Sequence, residues 1–241
     1  MDWGTRINEV RAIYPRWGTW RARRRTCIAT KPEVSLPHPT SSERDEPMSR
    51  LAATLFVSLD GVVESPEKWS FPYWNDAIGK FKREETFASD ALLLGRVTYE
   101  GFASAWPGRK DPDGFADRFN SMPKYVASRT LKKLEWNNSH LIDGDLVPAV
   151  SKLKRQPGQD IVIHGSPTLI RSLMPHDLID EYRLLVYPIV LGPGKRLFDE
   201  TSGSNLKLVE AEPYDTGVVK LVYHRADKPS KVPRGRPAKP K

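Results

Sequence analysis

Two short stretches carry residue types at spacings that suit anion chemistry. In Asp90-Ala-Leu-Leu-Leu-Gly-Arg-Val-Thr-Tyr-Glu100 a buried-looking apolar run, Ala91 to Leu94, breaks at Gly95 and passes into a polar turn with Arg96 and Thr98. A strand that ends in glycine and opens a helix leaves backbone N–H groups unpaired at its mouth. Arg96 adds a planar, permanent cation suited to phosphate. The same pattern also reads as an ordinary strand–turn–helix with a surface arginine. In Gln159-Asp-Ile-Val-Ile-His-Gly-Ser-Pro-Thr-Leu-Ile170 a β-branched strand again ends at a glycine, and Pro167 stands where a helix accepts proline in its first turn. Gly165 allows close approach to the backbone, and Ser166 is expected to cap the helix. A third stretch, Leu178 to Phe198, holds a long strand, Tyr182 to Leu191, running into Gly192-Pro-Gly194.

Alternating strands and helices must position these turns. Leu51 to Leu59 reads as a strand, and Asp60-Gly61 turns the chain. Trp69, Phe71, Tyr73 and Trp74 make an aromatic loop before a helix, Asp76 to Phe87. After the strand at 91–94 come a helix, the acidic loop Asp111-Pro-Asp-Gly114, a short helix around Ala116–Asn120 and a strand, Lys124 to Ser128. His140 to Ile142 is a weaker strand, and Leu146 to Lys154 is an amphipathic helix. A helix over Thr168–Met174 follows the strand 161–163. Leu206–Ala211 and Val218–His224 close the body as an antiparallel pair. The order predicts an α/β fold with a mixed, mostly parallel sheet, flanking helices and an antiparallel C-terminal hairpin.

Charge is unevenly placed along the 241 residues. Of 38 basic and 30 acidic residues, 9 and 6 fall in 1–47 and 6 and 1 in 227–241, which leaves 23 of each between them. The net charge of +8 therefore belongs to the tails, and the body, 48–226, is a neutral globule. Residues 1–47 show clustered arginines and prolines without sustained periodicity and are expected to be disordered. Met48 is expected to be the native start, with the preceding residues an extension. The single cysteine, Cys27, excludes an internal disulfide and a cysteine-based metal cluster. No apolar run approaches a membrane span, so the default location is cytoplasmic.

Val57-Ser-Leu-Asp-Gly61, Leu94-Gly-Arg-Val-Thr-Tyr-Glu100, Ile163-His-Gly-Ser-Pro-Thr168 and Pro188-Ile-Val-Leu-Gly-Pro-Gly-Lys-Arg-Leu-Phe198 together resemble the dihydrofolate reductase-like superfamily. They are most similar to the C-terminal reductase domain of bacterial riboflavin-biosynthesis deaminase-reductases and its stand-alone relatives, over roughly 50–225. The resemblance implies an NADPH-dependent reductase of a small heterocycle (an aminopyrimidine, pterin or flavin-like ring), with the cofactor across the C-terminal ends of the parallel strands. Gly95, Arg96 and Thr98 would hold phosphates, Ser128 and Arg129 would face the adenosine 2′-phosphate, and Gly165, Ser166, Thr168 and Leu169 would carry the pyrophosphate. Asp60, Gly61 and Trp69 would sit beside the nicotinamide, with Asp60 and Asp76 as the catalytic candidates. Relatives also imply a homodimer, to which the Tyr182–Leu191 strand could contribute.

Departures from the resemblance bear on the substrate. Gly165-Ser166 stands where many such proteins have a double glycine, and Ile163 stands where the riboflavin enzymes tend to have an acid. Asp76 lies beside, not on, the position at which dihydrofolate reductases place a pterin-binding carboxylate, and it also reads as a charge favourable to a helix N-terminus. The deaminase zinc motif does not occur, so bifunctional activity is excluded. His164 and His176 lack partners at metal-ligand spacing, so no metal is expected.

A second function class rests on the tail. Lys231 to Lys241 resembles an AT-hook, in which Arg234, Gly235 and Arg236 would enter the minor groove of A·T-rich DNA. A plain solvated basic tail, and a catalytically idle nucleotide-binding body, are the other readings.

Overall fold

The computed structural model describes residues 48–200 and 202–226. The expectations for residues 1–47 and for the tail, including Arg234, Gly235 and Arg236, lie outside the described residues.

Among the described residues eight strands form one sheet in the order β4-β3-β2-β5-β1-β6-β8-β7. These are β1 (Leu51–Ser58), β2 (Ser89–Gly95), β3 (Lys124–Ala127), β4 (Ser139–Leu141), β5 (Asp160–His164), β6 (Glu181–Tyr187), β7 (Leu206–Pro213) and β8 (Val219–Arg225). The first six pair in parallel, whereas β8 runs antiparallel to both β6 and β7. The mixed sheet with an antiparallel C-terminal hairpin is the expected architecture.

Among the described residues five α-helices flank the sheet: α1 (Asp76–Phe87), α2 (Arg96–Ala105), α3 (Phe115–Ser121), α4 (Leu146–Lys154) and α5 (Pro167–Leu173). Central parallel strands are covered on both faces, which is why β1 and β2 read as nearly continuous apolar runs. On one face Leu51, Ala53, Leu55 and Val57 pack with Val150 of α4 and with Leu169, Ile170 and Leu173 of α5. On the other, Leu92, Leu94 and Val126 meet Tyr99 of α2 and Phe115 and Phe119 of α3. Farther along that second face, Leu185 and Tyr187 meet Ile78 of α1, with Phe56 and Trp74 alongside.

Two expectations need correction. The strand expected to run from Tyr182 to Leu191 ends at Tyr187, because Pro188 has no N–H to continue the ladder. The chain then turns aside, with Ile189 accepting from the Leu59 amide at 2.8 Å. Strand β6 is also paired on both sides, by β1 and β8, so it offers no edge to a second subunit. The aromatic loop before α1 is two short 3-10 turns, Pro66–Lys68 and Phe71–Tyr73.

Candidate active site

A cleft of about 1630 Å³ opens where β1, β2, β3 and β5 end, bordered by α1, α2 and α5. Parallel strand ends gather such clefts because each strand exits into a loop that leads to a flanking helix.

Two glycine turns meet in it. Helix α2 opens at Gly95, which has no side chain to cap the helix, so the N–H groups that follow have no cap from that residue. Across from it, Gly165 and Ser166 both take the left-handed backbone, at φ 56° each. Glycine accepts that conformation freely, whereas serine pays for it. Ser166 was expected to cap α5, but its side chain makes no cap hydrogen bond to that helix. Its Oγ instead accepts from the Gly95 amide at 3.0 Å and lies 2.7 Å from Thr98 Oγ1. Ser166 thus ties two distant turns together. The fit at Gly95 is close: a Cβ there would come within 3.1 Å of Ser166 Oγ.

Around this junction Arg96, Thr98, Ser128, Arg129, Thr168 and Leu169 also line the cleft. Arg96 is half-exposed and pairs with Glu100 at 2.9 Å, and Arg129 is exposed. Ser128 Oγ accepts from the amides of Thr130 and Leu131, so it shapes the turn that presents Arg129. Helix amides, hydroxyls and two guanidinium groups suit phosphate esters, and a side chain at Gly95 would press on Ser166.

Four predicted residues stand outside this lining. Asp60 accepts from Ser58 Oγ at 2.7 Å and from the Leu191 and Gly192 amides at 3.1 and 2.9 Å. Those bonds hold its carboxyl down at about 2, so it is ionised at neutral pH and staples two loops together. An acid in that state has no proton to donate. Asp76 is exposed in the first turn of α1, where Asn75 supplies the cap and the carboxylate favours the helix dipole. Trp69 is buried, donates from Nε1 to the Glu64 carbonyl and meets Tyr187 edge-on at 5.3 Å, as a core residue does. Gly61 turns the chain at φ 88°.

The cleft instead receives a cation from α1. Lys82 is buried, donates to Thr54 Oγ1 at 2.9 Å and is ion-paired with Glu85. Glu85 also meets Arg183 at 3.4 Å, and Arg183 in turn is paired with Asp160 and Glu181. Burial lowers the Lys82 pKa, while Glu85 opposes that shift. His164 lines the cleft with its ring against Phe102 and Phe119, at 6.0 and 5.6 Å. Burial first, and then the Lys82 and Arg183 cations, push its pKa down to about 3, so it is neutral at physiological pH.

Lys82 and Thr54 escaped the sequence reading. Ile78, Lys82 and Glu85 stand at one-face helical spacing on α1, but charged residues at such positions look solvated until the packed face is known. Among the described residues no group of three His, Cys, Asp or Glu is placed to hold a metal ion, and no helix is long and apolar enough to cross a membrane.

Comparison with known proteins agrees with the fold. Residues 50–220 match the family model described as the RibD C-terminal domain. The chain is 34% identical over 182 residues to the YyaP protein of Bacillus subtilis (strain 168), covering 73% of this chain and 94% of that one. A pyrimidine reductase-like protein from Corynebacterium diphtheriae superimposes with a TM-score of 0.56 at 14% identity, over 75% of this chain and 93% of the other. Dihydrofolate reductase from Enterococcus faecalis, solved with NADP(H) bound, superimposes with a TM-score of 0.52 at 20% identity, over 74% and 97%.

Proposed function

The chain belongs to the RibD C-terminal domain family, and from that premise we propose that it is a reductase of the pyrimidine reductase type that uses NADPH to reduce a small flat heterocycle. The observation that carries this reading is the junction of two glycine turns at the ends of parallel strands, joined through Ser166 beside a large cleft. Gly95, Arg96, Thr98 and Gly165 would hold the dinucleotide phosphates, and Ser128 and Arg129 would face the 2′-phosphate. The bound cofactor would supply hydride, and the protein orients the ring and excludes water. The protein would act as a homodimer, which light scattering of the full chain would test.

Calorimetry with NADPH and NADH tests the cofactor. A screen of aminouracils, pterins and flavins for loss of reduced-nicotinamide absorbance tests the reaction. Saturable NADPH binding with turnover of one ring class is the expected result. Absence of binding by either dinucleotide would overturn the reading.

A further inference from the structure

Lys82 occupies a position where burial makes a charge costly, and the fold leaves part of its bonding capacity unspent. An ammonium has three N–H donors. Among the described residues one reaches Thr54 Oγ1 at 2.9 Å and one reaches Glu85, so the third has no protein acceptor. Lys82 lines the cleft. Thr54 lines it too, and because its oxygen accepts from Lys82, its own hydroxyl proton has no acceptor among the described residues.

The surroundings keep this corner donor-rich. Glu85, the nearest carboxylate, is spent between Lys82 and Arg183. Four carboxylates border the cleft: Glu64 and Glu100 are half-exposed and paired with Lys195 and Arg96, and Glu67 and Asp145 are exposed. From the sheet, the Arg183 cation and the neutral His164 are the other ionisable groups near Lys82.

Aromatic rings wall the corner, tilted at 58° to each other. Phe56 and Trp74 stand 6.3 Å apart, and the Lys82 ammonium lies 6.0 Å from the Phe56 ring. Ser70 is fully buried, lines the same cleft, and its hydroxyl has no partner among the described residues. A buried polar group left unpaired is costly unless a ligand or water completes it. An amino group would set its N–H against the Lys82 N–H, which cannot accept, whereas a carbonyl oxygen would complete it.

We propose that Lys82 and Thr54 form a donor pair that reads the acceptor edge of a flat heterocycle, so that the site selects a ring bearing carbonyl oxygens over the same ring bearing amino groups. The proposal rests on the reading of the cleft as a reductase site and names the substrate class and the residue that sets it.

The test uses two probes on one skeleton, pteridine-2,4-dione and 2,4-diaminopteridine, titrated calorimetrically into the full-length protein. The wild type is expected to bind the dione at least about tenfold more tightly, the worth of one hydrogen bond to a charged group. Lys82→Met should weaken the dione by about ten- to hundredfold and shift the diamino probe by much less. Equal or tighter binding of the diamino probe by the wild type overturns the proposal. So does an unchanged dione affinity in Lys82→Met, or binding of neither probe. If Lys82→Met fails to fold because Glu85 loses its partner, the double variant Lys82→Met/Glu85→Gln makes the same comparison. NADPH titration of the wild type separates the two levels. Retained NADPH binding without ring preference sinks the role of Lys82 alone, and loss of NADPH binding sinks the reductase reading.

Discussion

The hydroxyls of Thr98 and Ser166 lie 2.7 Å apart, although the two residues are 68 positions apart in the chain. The bond fastens the turn that opens α2 to the turn that opens α5, and Ser166 holds a left-handed backbone to make it. Two costs oppose each other at this residue: the strain of the conformation and the value of the bonds.

Replacing Ser166 separates those effects. Ser166→Ala keeps the strain and loses both bonds, and it should destabilise the fold by about 1–2 kcal/mol. Ser166→Gly loses the same bonds but recovers about 1 kcal/mol of left-handed strain. Denaturant unfolding should therefore rank wild type above Gly and Gly above Ala. Alanine matching wild type would show that the hydroxyl bonds contribute nothing.

Dinucleotide preference should run through Arg129 more than Arg96, because Glu100 already holds the Arg96 guanidinium at 2.9 Å. Arg129→Ala is expected to weaken NADPH by about 1.5–3 kcal/mol and to leave NADH nearly unchanged. Glu100→Gln should release Arg96 and tighten NADPH. Equal losses for both dinucleotides in Arg129→Ala would show that this residue does not read the 2′-phosphate.

His164 should make the protein acid-sensitive. Its pKa in the fold is about 3 against an ordinary 6.5, so below about 6.5 the unfolded chain holds a proton that the fold excludes. Stability therefore rises with pH through this window, and the penalty grows as pH falls from 6.5 toward 3. Urea midpoints compared between about pH 7 and about pH 5 should drop more for wild type than for His164→Gln. Parallel drops in the two proteins would remove His164 from the account.

The basic tail makes a separate prediction. If Arg234 and Arg236 enter a minor groove, a 227–241 peptide should prefer A·T-rich over G·C-rich duplex, and the preference should survive moderate salt, since plain phosphate attraction is blind to sequence. Gly235→Ala leaves the charge unchanged and should weaken A·T binding, because its side chain would lift the backbone from the groove floor. Fluorescence anisotropy showing both peptides alike on both duplexes would reduce the tail to a polycation.

Much of this molecule was legible in order along the chain. The bounds of α1, Asp76–Phe87, and of α4, Leu146–Lys154, follow from local periodicity. The strand endings at Gly95 and near Gly165 follow from β-branched or leucine runs meeting glycine. Pro188 carried the true end of β6 as well, but an apolar run through Leu191 masked its missing donor.

The sequence by itself determined the alternation of elements, the mostly parallel sheet with its antiparallel end, and the two glycine turns, because each depends on residues within a few positions of one another. Only the tertiary structure decided what fills the cleft. Trp69 and Asp60 were drawn away into the core and a loop staple, while Lys82 was turned inward from a helix face that reads as solvated. The reason is physical: whether a lysine faces water or a cleft depends on what packs over it, and only folding brings Thr54 of β1 to Lys82 and Arg183 of β6 to its helix partner Glu85.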